Sequence, residues 1–364
     1  MESSASSGKG DCCEMPHSGR RYSRMVTQLA SRPAPMSRVW SRGRIIAEDL
    51  NGEDLSDVLE LHSDASAWWV LPRENHYGAA ELKGVAHALD LDDLAIKDLL
   101  AEDQRAKFEV IGQARLVITN AVTVDREQAK LSAAPISIIA TDRALICLVE
   151  SRAGFRPAQL LLDSAEVLSQ GSVEAALQVV MGAVISTYEE AVEWLEGASD
   201  DLANVLYEER PLDKLEQLHA FRLRSALSQL RRLTDPMRAV MTDIVESSPP
   251  SAKAKNKNTN VSRRWKLLAE QHDRAANAAD ALREALSSVF DTSLALADVR
   301  LNSIMKKLTG WAAIIAVPTL VTSFVGMNVE FPLVGSVAGF WFYLAITIIA
   351  AMALYLLFRA KDWV

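Results

Sequence analysis

Two uncharged stretches near the C-terminus decide the architecture of this chain: "LTGWAAIIAVPTLVTSFVGM" at residues 308–327 and "GFWFYLAITIIAAMALYLLF" at residues 339–358. Neither stretch contains Asp, Glu, Lys, Arg or His. A helix of about 20 apolar residues is long enough to cross a hydrocarbon core about 30 Å thick. The sequence therefore predicts two membrane helices at the end of a mostly polar chain.

The charges beside these stretches predict how the chain is oriented. Lys306 and Lys307 precede the first stretch, Arg359 and Lys361 follow the second, and residues 328–338 between them include no Lys or Arg. Basic residues collect on the cytoplasmic side of membrane proteins. Both termini are therefore expected to face the cytoplasm of a multi-pass protein in the cell membrane.

The composition limits the functions open to the rest of the chain. The 364 residues have a formal net charge of −8, which argues against a nucleic-acid-binding body. The sequence shows no phosphate-binding loop, dinucleotide fingerprint or nucleophile motif, so an enzyme is not expected. The three cysteines have no metal-ligand spacing, which fits a reducing cytosolic compartment.

The region before the spans divides into a mixed domain and a helical region. Short β-type runs alternate with helical sequence from about residue 44 to 150, and the connection between the two later runs is too short for a crossover, so part of the sheet should be antiparallel. From about residue 172 helical spacing dominates. A single helix from about Ser262 to Met327 would be about 100 Å long.

The predicted fold is an α+β cytosolic domain, with a mixed sheet flanked by helices, followed by a very long stalk and pore helix and a second transmembrane helix. The predicted segments are a disordered N-terminal arm (1–42), the α/β domain (43–171), a helical region (172–246), a loop (247–260), the stalk (261–307), the first span (308–327), an outer loop (328–338), the second span (339–358) and a cytosolic tail (359–364).

The first span carries a stripe of small, hydroxyl-bearing or flexible side chains. Alternating steps of three and four residues place six positions on one helical face: Met305, Leu308, Ala312, Ala316, Thr319 and Ser323. Two helices cannot enclose a pore, so conduction would require a ring of subunits. The stripe either lines such a pore or merely allows close packing of helices.

The absence of ionisable groups in the spans restricts the mechanism of transport. A proton relay or a dehydrated metal site in the membrane would need such groups. Mg²⁺ gives up its water reluctantly, so a neutral pore can conduct it only if the ion keeps most of its hydration shell. The side-chain carbonyl of Asn328 can accept a hydrogen bond from that water. Gly326 would let the backbone leave the helix beside it, although Gly-x-Asn is also a common helix C-cap.

The two ends of the first span have further candidate roles. Glu330 would place negative charge at the outer mouth, or it is an ordinary exposed acid. Met305 and Leu308 would form apolar rings at the inner end, and such constrictions close pores by excluding water.

The triplet Gly326-Met327-Asn328 closes the penultimate span, and a short loop, a last span and a basic-aromatic tail follow it. This arrangement resembles the CorA family of divalent-cation transporters. The resemblance is strongest from Asn302 to Val364, where "LNSIMKKLTGWAAIIAVPTLVTSFVGMNVEFP" and "RAKDWV" follow the family pattern, and weaker over "IKDLLAEDQRAKFEVIGQARLVITNAV" at residues 96–122. Val325 departs from the family, which usually has an aromatic residue before the triplet.

The resemblance implies a homopentamer in the lipid bilayer that transports Mg²⁺, and also Co²⁺ or Ni²⁺, with Gly326, Met327 and Asn328 as the selectivity filter. The family's pore-lining positions, counted without gaps from the triplet, are the same six stripe residues. The related zinc-transporting branch of the superfamily shares this plan. The six histidines are scattered and form no zinc cage, but hydrated Zn²⁺ would still pass. A non-conducting membrane-anchored sensor is the remaining alternative.

The resemblance also implies a regulatory Mg²⁺ held between carboxylates of neighbouring subunits. Asp98 in "IKDLL" matches the first position of this site. The second falls on Leu267, a departure from the family, but Glu270 lies about one helical turn away and could replace it. Asp291 is a further candidate ligand.

Overall fold

The computed structural model describes residues 36–73, 77–101, 105–149, 172–247, 257–327, 336–361 and 363. In chain order the elements are β1 (Met36–Ser41), β2 (Arg44–Glu48), α1 (Gly52–Leu61), β3 (Ser66–Pro72), α2 (Tyr77–Ala86), α3 (Asp93–Leu100), β4 (Lys107–Ile111), β5 (Ala114–Asp125), β6 (Lys130–Ala140), β7 (Ala144–Val149), α4 (Val173–Leu206), α5 (Lys214–Ser247), α6 (Lys257–Val325) and α7 (Val337–Ala360).

These elements form two compact units. The first comprises the chain up to Leu195 together with Ser225–Asp280, and the second comprises Glu196–Arg224 together with Ala281–Val364. Helices α4, α5 and α6 each contribute residues to both units.

The first unit is built on a seven-stranded mixed sheet with the order β2-β1-β3-β7-β6-β5-β4. Only the β3–β7 pair among these neighbours is parallel. The longest pairing joins β5 to β6 through a turn in which Asp125 Oδ1 accepts hydrogen bonds from the backbone N–H groups of Glu127 and Gln128. Asp is favoured in such turns because its side chain bonds to the backbone two residues on. The prediction of a mixed, partly antiparallel sheet is confirmed.

The main core of the first unit packs the sheet against α1, α2 and α3. Leu55 and Leu59 of α1 and Leu82 of α2 are fully buried with Trp69 and Leu71 of β3. Each such side chain contributes about 1.5–3 kcal/mol by leaving water. Gly52 is needed here, because a β-carbon at this position would collide with the backbone oxygen of Glu81 in α2.

Helices α4 and α5 are attached to β5 by hydrogen bonds. The backbone N–H of Val122 donates to Thr187 Oγ1 at 3.0 Å, and the Tyr188 hydroxyl donates to the backbone oxygen of Asn120 at 2.6 Å. The Thr119 hydroxyl lies 3.4 Å from the Met237 sulfur of α5. These bonds pair polar groups that would be costly to bury without partners.

The start of α6 is attached to the same unit through Trp265, whose side chain is fully buried. Its indole N–H donates to one carboxylate oxygen of Glu174 at 2.5 Å, and Arg115 of β5 contacts the other oxygen at 2.6 Å. Glu174 therefore joins α4, α6 and the sheet.

The second unit contains the turn between α4 and α5, which includes Pro211. Arg210 contacts both oxygens of Glu216, and Asp213 Oδ1 accepts from the N–H groups of Leu215 and Glu216. Hydrogen bonds from Arg210 lower the pKa of Glu216 to about 2. The N–H of Leu212 donates to the buried Ser293 hydroxyl of α6 at 3.0 Å.

Several predicted boundaries are wrong. Met36–Ser41, assigned to the disordered arm, forms β1, which pairs with both β2 and β3 and buries Val39 completely. The polar residues of this segment interrupt the apolar pattern expected of a strand. The strand is stabilised by backbone hydrogen bonds to β2 and β3. Residues 1–35 of the arm lie outside the described residues.

The helices also extend beyond their predicted ends. Residues 257–260, predicted as loop, form the first turn of α6, and the two residues after the second predicted span, Arg359 and Ala360, are still helical. Helix α7 begins at Val337, inside the predicted outer loop, because the Ser336 hydroxyl caps it by accepting from the Gly339 N–H at 3.0 Å. Helices α5 and α6 continue through Pro236 and Pro318.

His272 of α6 gives the first unit a testable pH dependence. Its imidazole is fully buried, and Nε2 lies 3.1 Å from the backbone oxygen of Thr234, which can only accept, so Nε2 carries the proton of the neutral ring. Burial lowers the pKa of His272, and the nearby carboxylate of Asp273 opposes this only in part. Below the unfolded-state pKa of about 6.5 the unfolded chain therefore binds more protons than the folded one.

We expect the stability contributed by neutral His272 to be present above pH 6.5 and to be lost as the pH falls toward its folded pKa. His272→Gln should therefore reduce the loss of melting temperature between pH 7.5 and pH 5.5. The measurement is thermal unfolding of the detergent-solubilised protein, with the exposed His87→Gln as the control. An unchanged pH dependence in His272→Gln would contradict this assignment.

Candidate functional site

The six stripe residues of the first span are all exposed on the chain. The buried or half-buried positions of the same helix segment form a second set: Gly310, Ala313, Ile314, Val317, Pro318, Val321 and Val325. At about 100° per residue, this second set lies on the opposite side of the helix from the stripe. The stripe therefore faces away from the chain's own packing.

Helix α7 has one such half-buried set as well, at the helical spacing of three and four residues: Gly339, Tyr343, Thr347, Ala350, Ala351, Leu354, Tyr355 and Phe358. Large apolar side chains are exposed beside it, among them Phe340, Trp341 and Phe342 near the start of the helix. Exposed aromatic residues at a helix end are typical of the membrane–water boundary. Both α6 and α7 contain segments long and apolar enough to cross a membrane.

Thr319 of the stripe presents a hydrogen-bond acceptor on the exposed face of the helix. The Thr319 hydroxyl donates to the backbone oxygen of Ile315 at 3.1 Å. Its proton is thereby used within the helix, and its oxygen lone pairs remain available on the exposed face. Next to the stripe, the Thr322 hydroxyl donates to the Pro318 oxygen at 2.9 Å in the same way. Such acceptors can receive hydrogen bonds from the water molecules of a cation's hydration shell.

The first span ends beside Gly326. Helix α6 ends at Val325, but the Gly326 N–H still donates to the Thr322 oxygen at 2.9 Å, and Gly326 does not adopt a left-handed conformation. Met327 follows with an exposed side chain. The backbone therefore does not turn out of the helix through a positive φ at Gly326. Asn328 and Glu330 lie outside the described residues.

The regulatory candidate Asp98 is already paired within the chain. Its Oδ2 accepts from Lys107 Nζ at 2.9 Å, and the same ammonium group lies 3.2 Å from Glu109 Oε2. Partial burial tends to lower the pKa of Lys107, but the hydrogen bonds to Asp98 and Glu109 outweigh it and raise the pKa. Lys107 therefore stays charged, and a dication at Asp98 has to compete with it.

The other regulatory candidates are exposed on α6: Glu270 in the first unit and Asp291 in the second, with Leu267 exposed near Glu270. No group of three His, Cys, Asp or Glu side chains within the described part of the chain is placed to hold a metal ion. The sequence did not reveal that Lys107 pairs with Asp98. Its Lys-x-Glu pattern was visible, but strand β4 had to be placed beside α3 before the pairing could be seen.

The chain combines a seven-stranded α/β unit with two helices long and apolar enough to cross a membrane, the first as part of a 69-residue helix, and this architecture is typical of a membrane protein with a large domain outside the bilayer. Residues 68–360 match the family model described as CorA-like Mg2+ transporter protein. The chain therefore belongs to the CorA family, whose members transport divalent cations, and the resemblance seen in the sequence is confirmed.

Known proteins and structures agree with this assignment. The chain is 37% identical over 83 residues to the cobalt/magnesium transport protein CorA of Methanocaldococcus jannaschii, an alignment that covers 22% of this chain and 26% of that protein. It is 20% identical to the CorA protein of Thermotoga maritima over 313 residues, 85% of this chain and 87% of that one.

The complete structure of the Methanocaldococcus jannaschii CorA magnesium transporter superimposes with a TM-score of 0.71 at 18% identity, and the match covers 92% of this chain and 99% of that structure. This likeness confirms the predicted fold class. It extends through the soluble unit, the long helix and the second apolar helix.

Proposed function

We propose that the chain is one subunit of an oligomeric channel that conducts Mg²⁺, and also Co²⁺ or Ni²⁺, as hydrated ions. The observation that supports this most directly is the exposed stripe on α6, opposite the face that packs within the chain. Because two spans cannot enclose a pore, stripes from several subunits must meet. A pentamer, as the family implies, would bring five stripes together.

In this proposal the ion never exchanges its whole hydration shell for protein ligands. The spans offer no charged side chain to replace water, and dehydration of Mg²⁺ is costly. A ring of Gly326-Met327-Asn328 segments would select the hydrated ion through the Asn328 side-chain oxygens. Glu330 would attract cations to the outer mouth, and Met305 and Leu308 would form the inner constriction.

The soluble unit and both termini are placed in the cytoplasm in this proposal, because the basic residues flank the spans on that side. The membrane potential would then drive uptake with about 2.3 kcal/mol per charge per 100 mV. No catalytic activity is assigned to the chain.

Ion flux into liposomes tests the proposal. Purified protein would be reconstituted around a Mg²⁺-sensitive dye, a K⁺ gradient with valinomycin would set the potential, and liposomes without protein would provide the baseline. We expect potential-driven Mg²⁺ entry that Co²⁺ and Ni²⁺ reduce by competition. Preferred Zn²⁺ entry would assign the chain to zinc transport, and an absence of flux for every ion would indicate a membrane-anchored sensor.

For regulation, we propose that cytosolic Mg²⁺ binds between subunits at Asp98, with Glu270 or Asp291 of a neighbouring subunit as partner ligand. Carboxylate oxygens suit Mg²⁺, and the Asp98 side chain is 28% exposed. The ion must displace Lys107 from Asp98, which should raise the Mg²⁺ concentration required. Bound Mg²⁺ would offset repulsion between carboxylates and hold the ring closed.

Asp98→Asn should remove the increase in protease resistance that Mg²⁺ gives to the wild-type protein, because it removes the charge with little change of shape. Lys107→Gln should shift the protection curve to lower Mg²⁺, because it removes the competing cation. The measurement is limited trypsin digestion across a Mg²⁺ series, and Asp93→Asn, on an exposed position of α3, is the control. A wild-type curve in Asp98→Asn would exclude Asp98 as a sensor ligand.

A further inference from the structure

A cavity of about 360 Å³ lies within the first unit, over the β5–β6 hairpin. Its lining includes three arginines: Arg73 after β3, Arg105 before β4 and Arg232 in α5. Among the described residues that line it there is no Asp or Glu. Three positive charges around one cavity are unexpected in a chain whose formal net charge is −8.

Arg73 is held in position by the fold. One guanidinium nitrogen donates to the backbone oxygen of Ala101 at 3.0 Å, and another contacts the hydroxyl of Ser137, which is fully buried in β6. An arginine side chain stays protonated under all physiological conditions. The cavity therefore has a fixed positive charge on one wall before any ligand arrives.

The other two arginines are exposed and make no hydrogen bond or ion pair to another described residue. Nearby arginines on α5 do find acids: Arg231 contacts Asp235 at 3.0 Å, and Arg238 contacts Asp273 at 3.2 Å. The carboxylates of Asp235 and Asp273 are thus paired with other arginines of α5. Like charges around a cavity repel each other, so an anion that enters between Arg105 and Arg232 is stabilised by both.

We propose that this cavity binds a small phosphorylated molecule, with a nucleoside di- or triphosphate as the class that fits it best. The planar guanidinium group donates two parallel hydrogen bonds to phosphate oxygens, and the exposed side chains of Arg105 and Arg232 can each make such a pair with one phosphate of a di- or triphosphate. The remaining wall includes Ile118, Pro135, Leu233 and Pro236, which can contact an apolar ring. The volume lies in the range of about 300–1,000 Å³ that is usual for small-molecule sites.

This site is separate from the proposed ion path, because it takes an anion and no stripe residue contributes to it. Its ligand would connect α5 to the sheet, since Arg232 lies on α5 while Asn120 and Pro135 lie on paired strands. Pro236 cannot donate the helical hydrogen bond to the Arg232 carbonyl, which weakens the helix at this turn. A bound ligand would therefore stabilise the turn of α5 at Pro236, where one helical hydrogen bond is missing.

Binding can be measured on the full-length protein in detergent, with EDTA present so that metal binding plays no part. Isothermal titration calorimetry at constant ionic strength would compare ADP, ATP and inorganic pyrophosphate with adenosine and citrate. We expect saturable binding of the three phosphate compounds and none of adenosine or citrate. No heat from any phosphate compound would overturn the proposal, as would equal binding of citrate, since that would reflect charge alone.

The double variant Arg105→Ala/Arg232→Ala should weaken ADP binding at least about tenfold, because it removes the charge-assisted hydrogen bonds from both side chains to the phosphates. The control Arg126→Ala/Lys130→Ala removes the same charge from two exposed positions, one on the turn between β5 and β6 and one at the start of β6, and should bind like wild type. Equal losses in both variants would overturn the site.

Discussion

Asn328→Ala is expected to abolish Mg²⁺ flux into liposomes without preventing assembly. In the proposed pore each Asn328 side chain accepts a hydrogen bond from the water around the ion. At about 1 kcal/mol for each bond, five simultaneous losses amount to about 5 kcal/mol, which corresponds to more than about a thousandfold at 1.4 kcal/mol per factor of ten. Because the ring is symmetric, one substitution removes a hydrogen bond in every subunit.

The measurement is the liposome assay under a fixed membrane potential, with the size of the assembly determined in parallel by light scattering. Asn302→Ala is the matched control, because Asn302 is exposed on α6 before the span and the same atoms are removed. Normal flux in assembled Asn328→Ala would exclude Asn328 from selection. Loss of flux in both variants would show that the effect is not specific to Asn328.

The fold could be predicted from the sequence where one physical signal dominates. The two spans are visible because charge is absent from twenty residues in succession, and the long helix because neither Gly nor Pro interrupts the segment before Gly310. Strand β1 was missed because its polar residues Ser37, Arg38 and Ser41 interrupt the apolar pattern and because one of its two partners, β3, is distant in the sequence. The apolar pattern of a short segment reflects local preferences, whereas the hydrogen bonds between β1 and β3 join residues far apart in the sequence.

The candidate site was predictable to a similar degree. The six-residue stripe follows from helical periodicity, and its exposure on the chain agrees with that geometry. The pairing of Asp98 with Lys107 was not predictable, because it depends on how α3 and β4 approach each other. The three arginines of the cavity are 32 and 127 residues apart along the chain, so only the folded sheet and α5 bring them together. Sites built from one helix can be found in a sequence, whereas sites built from several elements need the fold.

Leu308→Asp should make the channel leak at internal Mg²⁺ concentrations that close the wild-type protein. The Leu308 side chain is 63% exposed on the chain and would form an apolar ring in the oligomer. Such a ring excludes water, and a dry constriction stops a hydrated ion. Carboxylates at the same position retain water and attract cations. We expect flux at high internal Mg²⁺ to increase at least about tenfold over wild type, measured with the liposome assay loaded with Mg²⁺ and a second reporter ion.

Two further variants separate dewetting from other causes of a leak. Leu308→Asn is polar but uncharged, so it should also leak if water exclusion closes the pore, and it should leak less than Leu308→Asp because it adds no attraction for cations. Val299→Asp makes the same change as Leu308→Asp at a position that is 68% exposed and lies about 180° around the helix from Leu308, and it should close like wild type. Unchanged closure in both Leu308 variants would show that this residue does not face the ion path, and the stripe would then serve the packing of helices. A leak in Leu308→Asp alone would mean that charge, and not the loss of the apolar ring, opens the path.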